Sequence, residues 1–360
     1  MRAFLTSHPE TPRHSISQQD TILDMTRHSS HEIRLVSRPR GLPTPENFTL
    51  ERTELPPVAD EHVLVRNLYL SVDPYMRGRM NDVKSYAPGF ELGEPLTGRA
   101  VGEVLESRSR HFKVGQTVLS MYGFREAFVA PAAELYRLNP EFQPPSVYLG
   151  VLGATGMTAW AGLNLVDVKA GDTIFISGAA GAVGSSAGQL AKLRGCRVIG
   201  SAGSSEKVDF AQQHGGFDVA FDYKSGKVAE LLQRAAPDGI DVYFDNVGGE
   251  TLEAALTSLR PHGRIIGCGS ISRYNELAPS PGPSNLMNIV TKRLTWKGFI
   301  VSDFLDQRAQ FEREVGRYYL SGEIKNHETQ VSGLDRAIPA FIGLFHGQNT
   351  GKMIVNLTSN

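Results

Sequence analysis

Three glycines in the middle of the chain have the spacing of a phosphate-binding turn. Gly178, Gly181 and Gly184 follow the apolar run at residues 171–177 and precede a segment with helical periodicity. In a strand, turn and helix of this kind, the first helical N–H groups can hold a pyrophosphate. Ala180 stands where a stricter fingerprint carries glycine, and small residues also occur where a helix merely packs closely on a strand. The strand, turn and helix together favour a dinucleotide site.

The end of the next strand indicates which dinucleotide binds. NAD sites usually place an acidic side chain there to bind the ribose 2′-OH, but this strand ends in Ala202, Gly203 and Ser204. Lys207 could supply a positive charge, and Ser204 a hydrogen bond, to a 2′-phosphate. The alternatives are that Lys207 is a solvated charge in the first turn of a helix, and that Glu206 turns inward. The pattern favours NADP(H).

The cysteine count and the net charge exclude several classes of protein. The 360 residues contain two cysteines, Cys196 and Cys268, so no disulfide framework can form and a reducing compartment is favoured. With 37 basic and 38 acidic residues, the formal charge is −1, which argues against nucleic-acid binding or a polybasic membrane patch. No apolar stretch approaches the roughly 18 residues that a membrane span needs. We predict a cytoplasmic protein with neither a nucleic-acid nor a membrane partner.

The pattern of apolar residues divides the chain into regions of different architecture. Residues 1–30 are polar and predict a mobile leader. From Glu32 to about Leu138, short alternating apolar runs separated by Pro and Gly predict a compact β-rich barrel or sandwich. From about residue 171, apolar strands alternate with helix-length segments, which predicts a doubly wound parallel α/β sheet. We expect the last apolar run, residues 351–358, to return to the first domain as a β-strand.

Seven segments carry the signature of a known family in their order and spacing. They are residues 71–80 (SVDPYMRGRM), 153–163 (GATGMTAWAGL), 178–204 (GAAGAVGSSAGQLAKLRGCRVIGSAGS), 221–224 (FDYK), 245–250 (DNVGGE), 263–275 (GRIIGCGSISRYN) and 347–355 (GQNTGKMIV). Through them, residues 32–357 resemble the medium-chain dehydrogenase/reductase superfamily. Within it, they resemble the zinc-independent branch of prostaglandin reductases, leukotriene B4 dehydrogenases and curcumin reductases.

The resemblance implies an architecture, a reaction and a partner. It implies a GroES-like β-rich catalytic domain, residues 31–152 and 326–360, and a Rossmann NADPH-binding domain, residues 153–325. It further implies NADPH-dependent reduction of the C=C double bond of α,β-unsaturated ketones or aldehydes, by a homodimer. Zinc-dependent members of the superfamily need cysteine or histidine ligand sets, and two cysteines cannot furnish them. We therefore expect no metal.

The resemblance also assigns residues to the cofactor. Together with Ser204, the set comprises Gly181, Ala182, Val183, Gly184, Lys207, Tyr223, Asn246, Cys268, Gly269, Ser270, Ile271, Ser272, Tyr274, Phe299, Ile300, Val301 and Asn349. Lys207 matches the 2′-phosphate lysine, and Tyr223 matches a residue near the adenosine. One residue more than in the family pattern lies between these two, in the segment 212–218 (QQHGGFD).

Three tyrosines at motif positions, Tyr75, Tyr86 and Tyr274, could assist the reaction. Hydride addition to the β-carbon of an enone places negative charge on the carbonyl oxygen, and a hydrogen-bond donor stabilises the enolate as it forms. A phenol, with a pKa of about 10, is protonated at neutral pH and can then deliver its proton. We expect Tyr274 to act most directly, and the alternative for each tyrosine is a structural hydrogen bond and a packed ring. Arg77 and Arg79 either attract a substrate carboxylate or form ion pairs between the domains.

Two other functions stay open at this stage. A quinone reductase of the neighbouring branch shares the fold and the glycine turn, although the segments DPYMRGRM and DNVGGE and Tyr274 favour an alkene reductase. A non-catalytic NADPH-binding protein is the third possibility. The sequence does not identify the enone or enal, and we expect the loop at residues 274–290 to line part of a pocket between the domains.

Overall fold

The structure of the chain, a computed structural model, describes residues 28–358. Most of the predicted leader, residues 1–27, therefore lies outside the described residues. Its last two residues, Ser29 and Ser30, begin strand β1 (Ser29–Leu35), which pairs antiparallel with β2 (Phe48–Glu54). Strand β1 begins before the apolar pattern, because backbone hydrogen bonds to β2 form regardless of whether the side chains are polar or apolar.

The other strands of the β-rich part form one seven-stranded, mostly antiparallel sheet. Its strand order is β14-β15-β3-β4-β5-β7, with β6 paired to β3. The strands are β3 (His62–Ser71), β4 (Ala100–Ser107), β5 (Thr117–Ser120), β6 (Ala127–Pro131), β7 (Tyr136–Arg137), β14 (Glu328–Ser332) and β15 (Lys352–Asn356). The last predicted apolar run is β15, which pairs antiparallel with β3 and so brings the two ends of the chain into one sheet.

The second half of the chain forms a six-stranded sheet in which every pairing is parallel. Its order is β10-β9-β8-β11-β12-β13, from β8 (Thr173–Ser177), β9 (Arg197–Ala202), β10 (Val219–Asp222), β11 (Ile240–Asp245), β12 (Leu259–Gly267) and β13 (Thr295–Gly298). This confirms the doubly wound α/β prediction. The sequence predicted β8 to β12 but not β13. All four residues of β13 are exposed, so no buried apolar run marks this strand in the sequence.

Helices cover both faces of the parallel sheet and connect its strands. Along the described part of the chain, the helices are α1 (Met76–Arg79), α2 (Ala154–Leu165), α3 (Ala182–Leu193), α4 (Ser205–His214), α5 (Val228–Ala235), α6 (Gly249–Ser258), α7 (Met287–Thr291), α8 (Arg308–Leu320) and α9 (Ala337–Phe345). Of these, α1 and α9 pack in the β-rich part of the chain instead. Short 3₁₀ turns occupy Pro45–Asn47, Ala132–Glu134, Pro145–Leu149, Ile271–Arg273, Val301–Gln307 and Leu334–Arg336. Helix α3 packs closely against its neighbours because Gly188 faces the Phe217 ring, where a Cβ would lie 2.4 Å from a ring carbon.

A continuous apolar cluster connects the two sheets. It extends from Val101 and Ile354 in the β-rich sheet, through Trp160 of α2, to Phe244 and Ile266 in the parallel sheet, and all five are buried. Close packing of this kind transmits strain and holds the facing elements rigidly. The two sheets therefore form fixed walls on either side of whatever lies between them. The domain boundaries given above stay a prediction.

Candidate active site in the cleft between the two sheets

A large cleft lies between the two sheets, at the carboxyl ends of the parallel strands. Its volume is about 1180 Å³, and both halves of the chain line it. In the parallel sheet, the connections run to opposite sides after β8 and β11, and open α/β sheets bind ligands at such a switch point. The glycine turn follows β8 and Asn246 follows β11, so the topology brings both to the cleft.

The glycine turn forms an uncapped cradle at the start of α3. Gly178 has φ +64°, and Gly181 is the N-cap residue, so no side chain caps the first helical N–H groups. A Cβ at Gly184 would lie 2.2 Å from the Gly178 carbonyl oxygen, and only glycine avoids this clash. Uncapped N–H groups at the positive end of a helix suit a pyrophosphate. Gly181, Ala182, Val183 and Gly184 all line the cleft, as predicted residues of this turn.

The C-terminal strand joins this turn to the β-rich sheet. The Gly351 N–H donates to the Ala180 carbonyl oxygen at 2.8 Å, and Gly351 forms an isolated bridge with Gly181. Gly351 has φ +68°, and a Cβ there would lie 2.1 Å from the His327 carbonyl oxygen. Asn349, a predicted cofactor residue, donates to the Gly351 carbonyl oxygen at 2.8 Å and lines the cleft.

Two lysines face one end of the cleft beside the end of β9. Lys207 and Lys224 line this end with Ser204 and Tyr223. Burial and the charge of Lys224 lower the pKa of Lys207, so an anion placed between the lysines would relieve their repulsion. The Ser204 hydroxyl accepts from the Lys207 backbone N–H at 3.4 Å, as the N-cap of α4. Glu206 is exposed and does not line the cleft, so the predicted alternative of an inward acid does not occur.

Tyr223 reaches this end despite the additional residue in the segment before it. The loop at residues 215–218 lies between Lys207 and Tyr223, with Gly216 at φ +77°. The Tyr223 ring then packs beside Gly203, where a Cβ would lie 3.1 Å from the phenol oxygen.

The segments after β11 and β12 form the opposite end of the cleft. Asp245 is buried and accepts from the Tyr243 hydroxyl at 2.7 Å and from the Val247 and Gly248 N–H groups. Of the predicted cofactor residues here, those lining the cleft are Asn246, Cys268, Gly269, Ile271, Ser272, Tyr274, Phe299, Ile300 and Val301. Ser270 does not line it, because its hydroxyl faces Gly248, where a Cβ would lie 2.2 Å away.

The three predicted tyrosines converge on the cleft from both halves of the chain. Tyr75 stands at the start of α1, Tyr274 follows the 3₁₀ turn Ile271–Arg273, and Tyr86 lies in the loop after α1. Burial and the carboxylate of Asp73 raise the pKa of Tyr75 to about 12, and burial raises the pKa of Tyr274. Both phenols are therefore protonated at neutral pH and can donate a hydrogen bond. Tyr86 is 61% exposed and lies at the solvent side.

A buried ion pair that the sequence did not reveal supports the cleft beside Tyr75. The Lys352 ammonium donates to Asp73 at 3.0 Å and to the Val72 carbonyl oxygen at 2.7 Å. Burial alone would raise the pKa of Asp73, but Lys352 and the Ser71 hydroxyl hold it below its ordinary value. The charge of Arg99 also contributes to this lowering of the Asp73 pKa.

The ion pairs predicted for Arg77 and Arg79 do not occur among residues 28–358. Arg79 donates to the carbonyl oxygens of Pro88 at 2.8 Å and Thr97 at 3.2 Å. Arg77 binds backbone carbonyls and asparagine amides. The acceptors of both arginines are backbone carbonyl groups and uncharged side chains of the surrounding loops. Arg99, which sequence reasoning missed, lines the cleft, and its guanidinium has no hydrogen-bond or ion-pair partner within the described part of the chain.

The loop at residues 274–290, expected to line part of the cleft, reaches it only at its start. Tyr274 and Asn275 reach the cleft, whereas the later residues do not. Asn285 instead donates to the Glu253 carbonyl oxygen and the Thr257 hydroxyl, which holds the loop against α6. Proline and glycine marked the loop in the sequence but not the direction it takes.

Between residues 28 and 358, no group of three or more His, Cys, Asp or Glu side chains could hold a metal ion. No helix in this range combines the length and apolar character needed to cross a membrane.

Comparisons with known proteins match both halves of the chain. Residues 31–138 match the family model described as the N-terminal domain of oxidoreductase, and residues 182–317 match the zinc-binding dehydrogenase model. The NADPH-dependent curcumin reductase of Escherichia coli is 40% identical, over 91% of this chain and 96% of its own. The NADP⁺-dependent 2-alkenal reductase of Nicotiana tabacum is 41% identical, over 91% and 97%. Prostaglandin reductase 1 of Bos taurus is 42% identical, over 88% and 95%.

A solved structure extends the similarity to the cofactor. CurA of Vibrio vulnificus in complex with NADPH is 40% identical, with a TM-score of 0.87 over 92% of this chain and all of the other. The cradle at Gly181 and the two lysines beside β9 fit the phosphates of NADP(H). The chain is an NADP-dependent oxidoreductase, and it belongs to the zinc-independent branch of the medium-chain dehydrogenase/reductase superfamily, with the curcumin, 2-alkenal and prostaglandin reductases.

Proposed function

We propose that this protein reduces the C=C double bond of α,β-unsaturated ketones and aldehydes. The observation that carries the proposal is the convergence of Tyr75, Tyr86 and Tyr274 on one end of the cleft. The names of the curcumin, 2-alkenal and prostaglandin reductases support the same substrate class.

The tyrosine hydroxyls stabilise the negative charge that the reaction creates. Bound NADPH supplies a hydride to the β-carbon, and charge then develops on the carbonyl oxygen of the substrate. A neutral phenol at Tyr274 donates a hydrogen bond to that oxygen, and the same proton can pass to the enolate. Tyr75 is a second donor, and its pKa of about 12 keeps it protonated. Tyr86, at the solvent side, contacts the outer part of the substrate.

The residues predicted for the cofactor divide into three groups along the cleft. The pyrophosphate is held by the glycine turn and the C-terminal segment, through Gly181, Ala182, Val183, Gly184 and Asn349. The adenosine 2′-phosphate is held by Ser204, Lys207 and Tyr223, with Lys224 as an additional cation. The wall at the nicotinamide end is formed by Asn246, Cys268, Gly269, Ile271, Ser272, Tyr274, Phe299, Ile300 and Val301. Ser270 supports that wall from behind. The shared cleft lining and the lysine pair support these assignments.

Consumption of NADPH with a panel of acceptors tests the function. We expect loss of NADPH absorbance with enones and 2-alkenals, and a product in which the C=C bond is saturated and the carbonyl group is intact. Loss of absorbance with quinones alone would identify a quinone reductase. Loss with neither class would identify a protein that binds NADPH without this catalysis.

Arg99 predicts a preference among enone substrates. Its guanidinium lies at the substrate end of the cleft without an acceptor among residues 28–358, so it can bind a carboxylate of the substrate. We expect Arg99→Gln to raise KM for a carboxylate-bearing enone by about tenfold or more and to leave KM for a neutral enone of the same length unchanged. Arg99→Lys keeps the charge and is the matched control. Equal effects on both substrates would contradict this role.

We also propose that the protein forms a homodimer through the edge of the parallel sheet. All four residues of the edge strand β13 are exposed, and Met287, Val290 and Trp296 expose apolar side chains nearby. An unpaired strand edge with apolar neighbours is a site for pairing with a second chain. Sedimentation should give twice the mass of one chain, and Trp296→Lys should give a single chain. A single-chain mass for the unaltered protein would contradict the dimer.

A further inference from the structure

A buried arginine links the two segments that carry Tyr75 and Tyr274. The Arg77 side chain is 3% exposed, and its Nε donates to Asn275 Oδ1 at 3.1 Å and to the Gly41 carbonyl oxygen at 3.0 Å. Arg77 follows Tyr75 by two residues, and Asn275 follows Tyr274 directly. The hydrogen bond therefore connects two candidate donors across the cleft, although they lie about 200 residues apart in the chain.

This link is isolated at its end of the cleft. Among the described residues, the Arg77–Asn275 hydrogen bond is the only one between residues 28–152 and residues 268–300. Beside it, Gly41 packs against Leu277, where a Cβ would lie 3.4 Å from a methyl carbon. Leu277 is 80% exposed, which places the link at the outer edge of the cleft. At the opposite side, Gly351 joins the two sheets independently through Ala180.

The remaining contacts of Arg77 fix the direction in which its guanidinium points. Nη1 donates to Asn81 Oδ1 at 2.6 Å, and Nη2 donates to the Pro39 carbonyl oxygen at 3.2 Å. No carboxylate lies within ion-pair distance of Arg77 among residues 28–358, so the side chain is held by neutral acceptors alone. The planar guanidinium binds acceptors in a fixed geometry, and its four contacts leave little freedom to the Asn275 amide.

We propose that Arg77 and Asn275 are positioning residues, which set the distance between Tyr75 and Tyr274 and hold the outer edge of the cleft closed. This inference rests on the proposed function for the role of the tyrosines, but the hydrogen bond itself does not. A displacement of about 1 Å at a reacting group can lower a rate by about 100-fold. The link therefore acts on the rate of the chemical step, through the placement of Tyr274.

The first test removes the link and compares two matched variants. We expect Asn275→Ala to lower kcat for an enone at least tenfold, with the NADPH dissociation constant within twofold of the unaltered protein. Asn275→Asp provides an acceptor oxygen again, and its kcat should lie within threefold of that of the unaltered protein. Asn81→Ala removes another hydrogen bond of Arg77, one that does not cross the cleft, and its kcat should also lie within threefold of that of the unaltered protein. A kcat for Asn275→Ala within twofold of normal, or equal losses in all three variants, would overturn the proposal.

The second test measures closure of the cleft without using the reductase activity. Cys268 lines the cleft, whereas Cys196 is buried away from it. Asn275→Ala should raise the rate of Cys268 alkylation by iodoacetamide at least threefold, as resolved by peptide mass spectrometry, with Cys196 unchanged. An unchanged Cys268 rate would show that the hydrogen bond does not hold the cleft closed. If the unaltered protein reduces no enone, the proposed function fails, and the alkylation rates alone decide whether the Arg77–Asn275 hydrogen bond holds the cleft closed.

Discussion

Tyr274→Phe is expected to lower kcat for an α,β-unsaturated ketone by about 10²-fold to 10⁴-fold, the range typical for loss of a general acid. The substitution removes one hydroxyl and keeps the ring, so the packing of the segment after β12 persists. Because the lost interaction forms only as charge develops on the substrate oxygen, kcat and kcat/KM should fall together. Turnover at saturating NADPH, measured by loss of NADPH absorbance, checks this prediction.

Matched variants and a pH profile separate the three tyrosines. Tyr75→Phe should cost less than Tyr274→Phe, and Tyr86→Phe should mainly change KM, because Tyr86 is at the solvent side. Burial raises the pKa of Tyr274, so its donor form persists to high pH. The activity should therefore stay level through neutral pH and fall only above about pH 10, the pKa of an ordinary phenol. Wild-type turnover in Tyr274→Phe would exclude its donor role.

Lys207→Ala is expected to lower kcat/KM for NADPH by about 10-fold to 100-fold and to leave that for NADH nearly unchanged. The substitution removes a charge-assisted contact that only the 2′-phosphate can make. Burial and Lys224 already lower the pKa of Lys207, so a bound phosphate, which favours the charged lysine, interacts strongly there. The ratio of kcat/KM for the two cofactors, measured at one salt concentration, is the relevant quantity.

Lys224→Ala is the control for the charge effect. It removes a cation from the same end of the cleft, and we expect a smaller loss of NADPH preference, because Lys207 remains. If the NADPH/NADH preference ratio were unchanged in Lys207→Ala, this lysine would not contact the 2′-phosphate. Equal loss for NADPH and NADH would instead indicate that Lys207 stabilises the start of α4.

The sequence alone was sufficient for the features that depend on neighbouring residues. The glycine turn, the missing acid after β9 and the strand and helix periodicity are local, because each reflects the conformation or contacts of a few consecutive residues. Most of the predicted site residues indeed line one cleft. Ser270 is the exception, since its side chain turns toward Gly248 and the sequence carries no sign of that direction.

Only the tertiary structure decided which distant groups meet. Strand β15 brings Lys352 to Asp73, and the arrangement of the two halves of the chain brings Arg77 to Asn275, so neither pairing has a local signal. Arg99 is distinguished by the acceptors it lacks, and the partners of a side chain depend on the whole fold. Short sequence motifs thus identify the residue types that can bind the cofactor and donate a proton. Their distances and charges depend on packing between segments far apart in the chain, which spacing along the sequence does not specify.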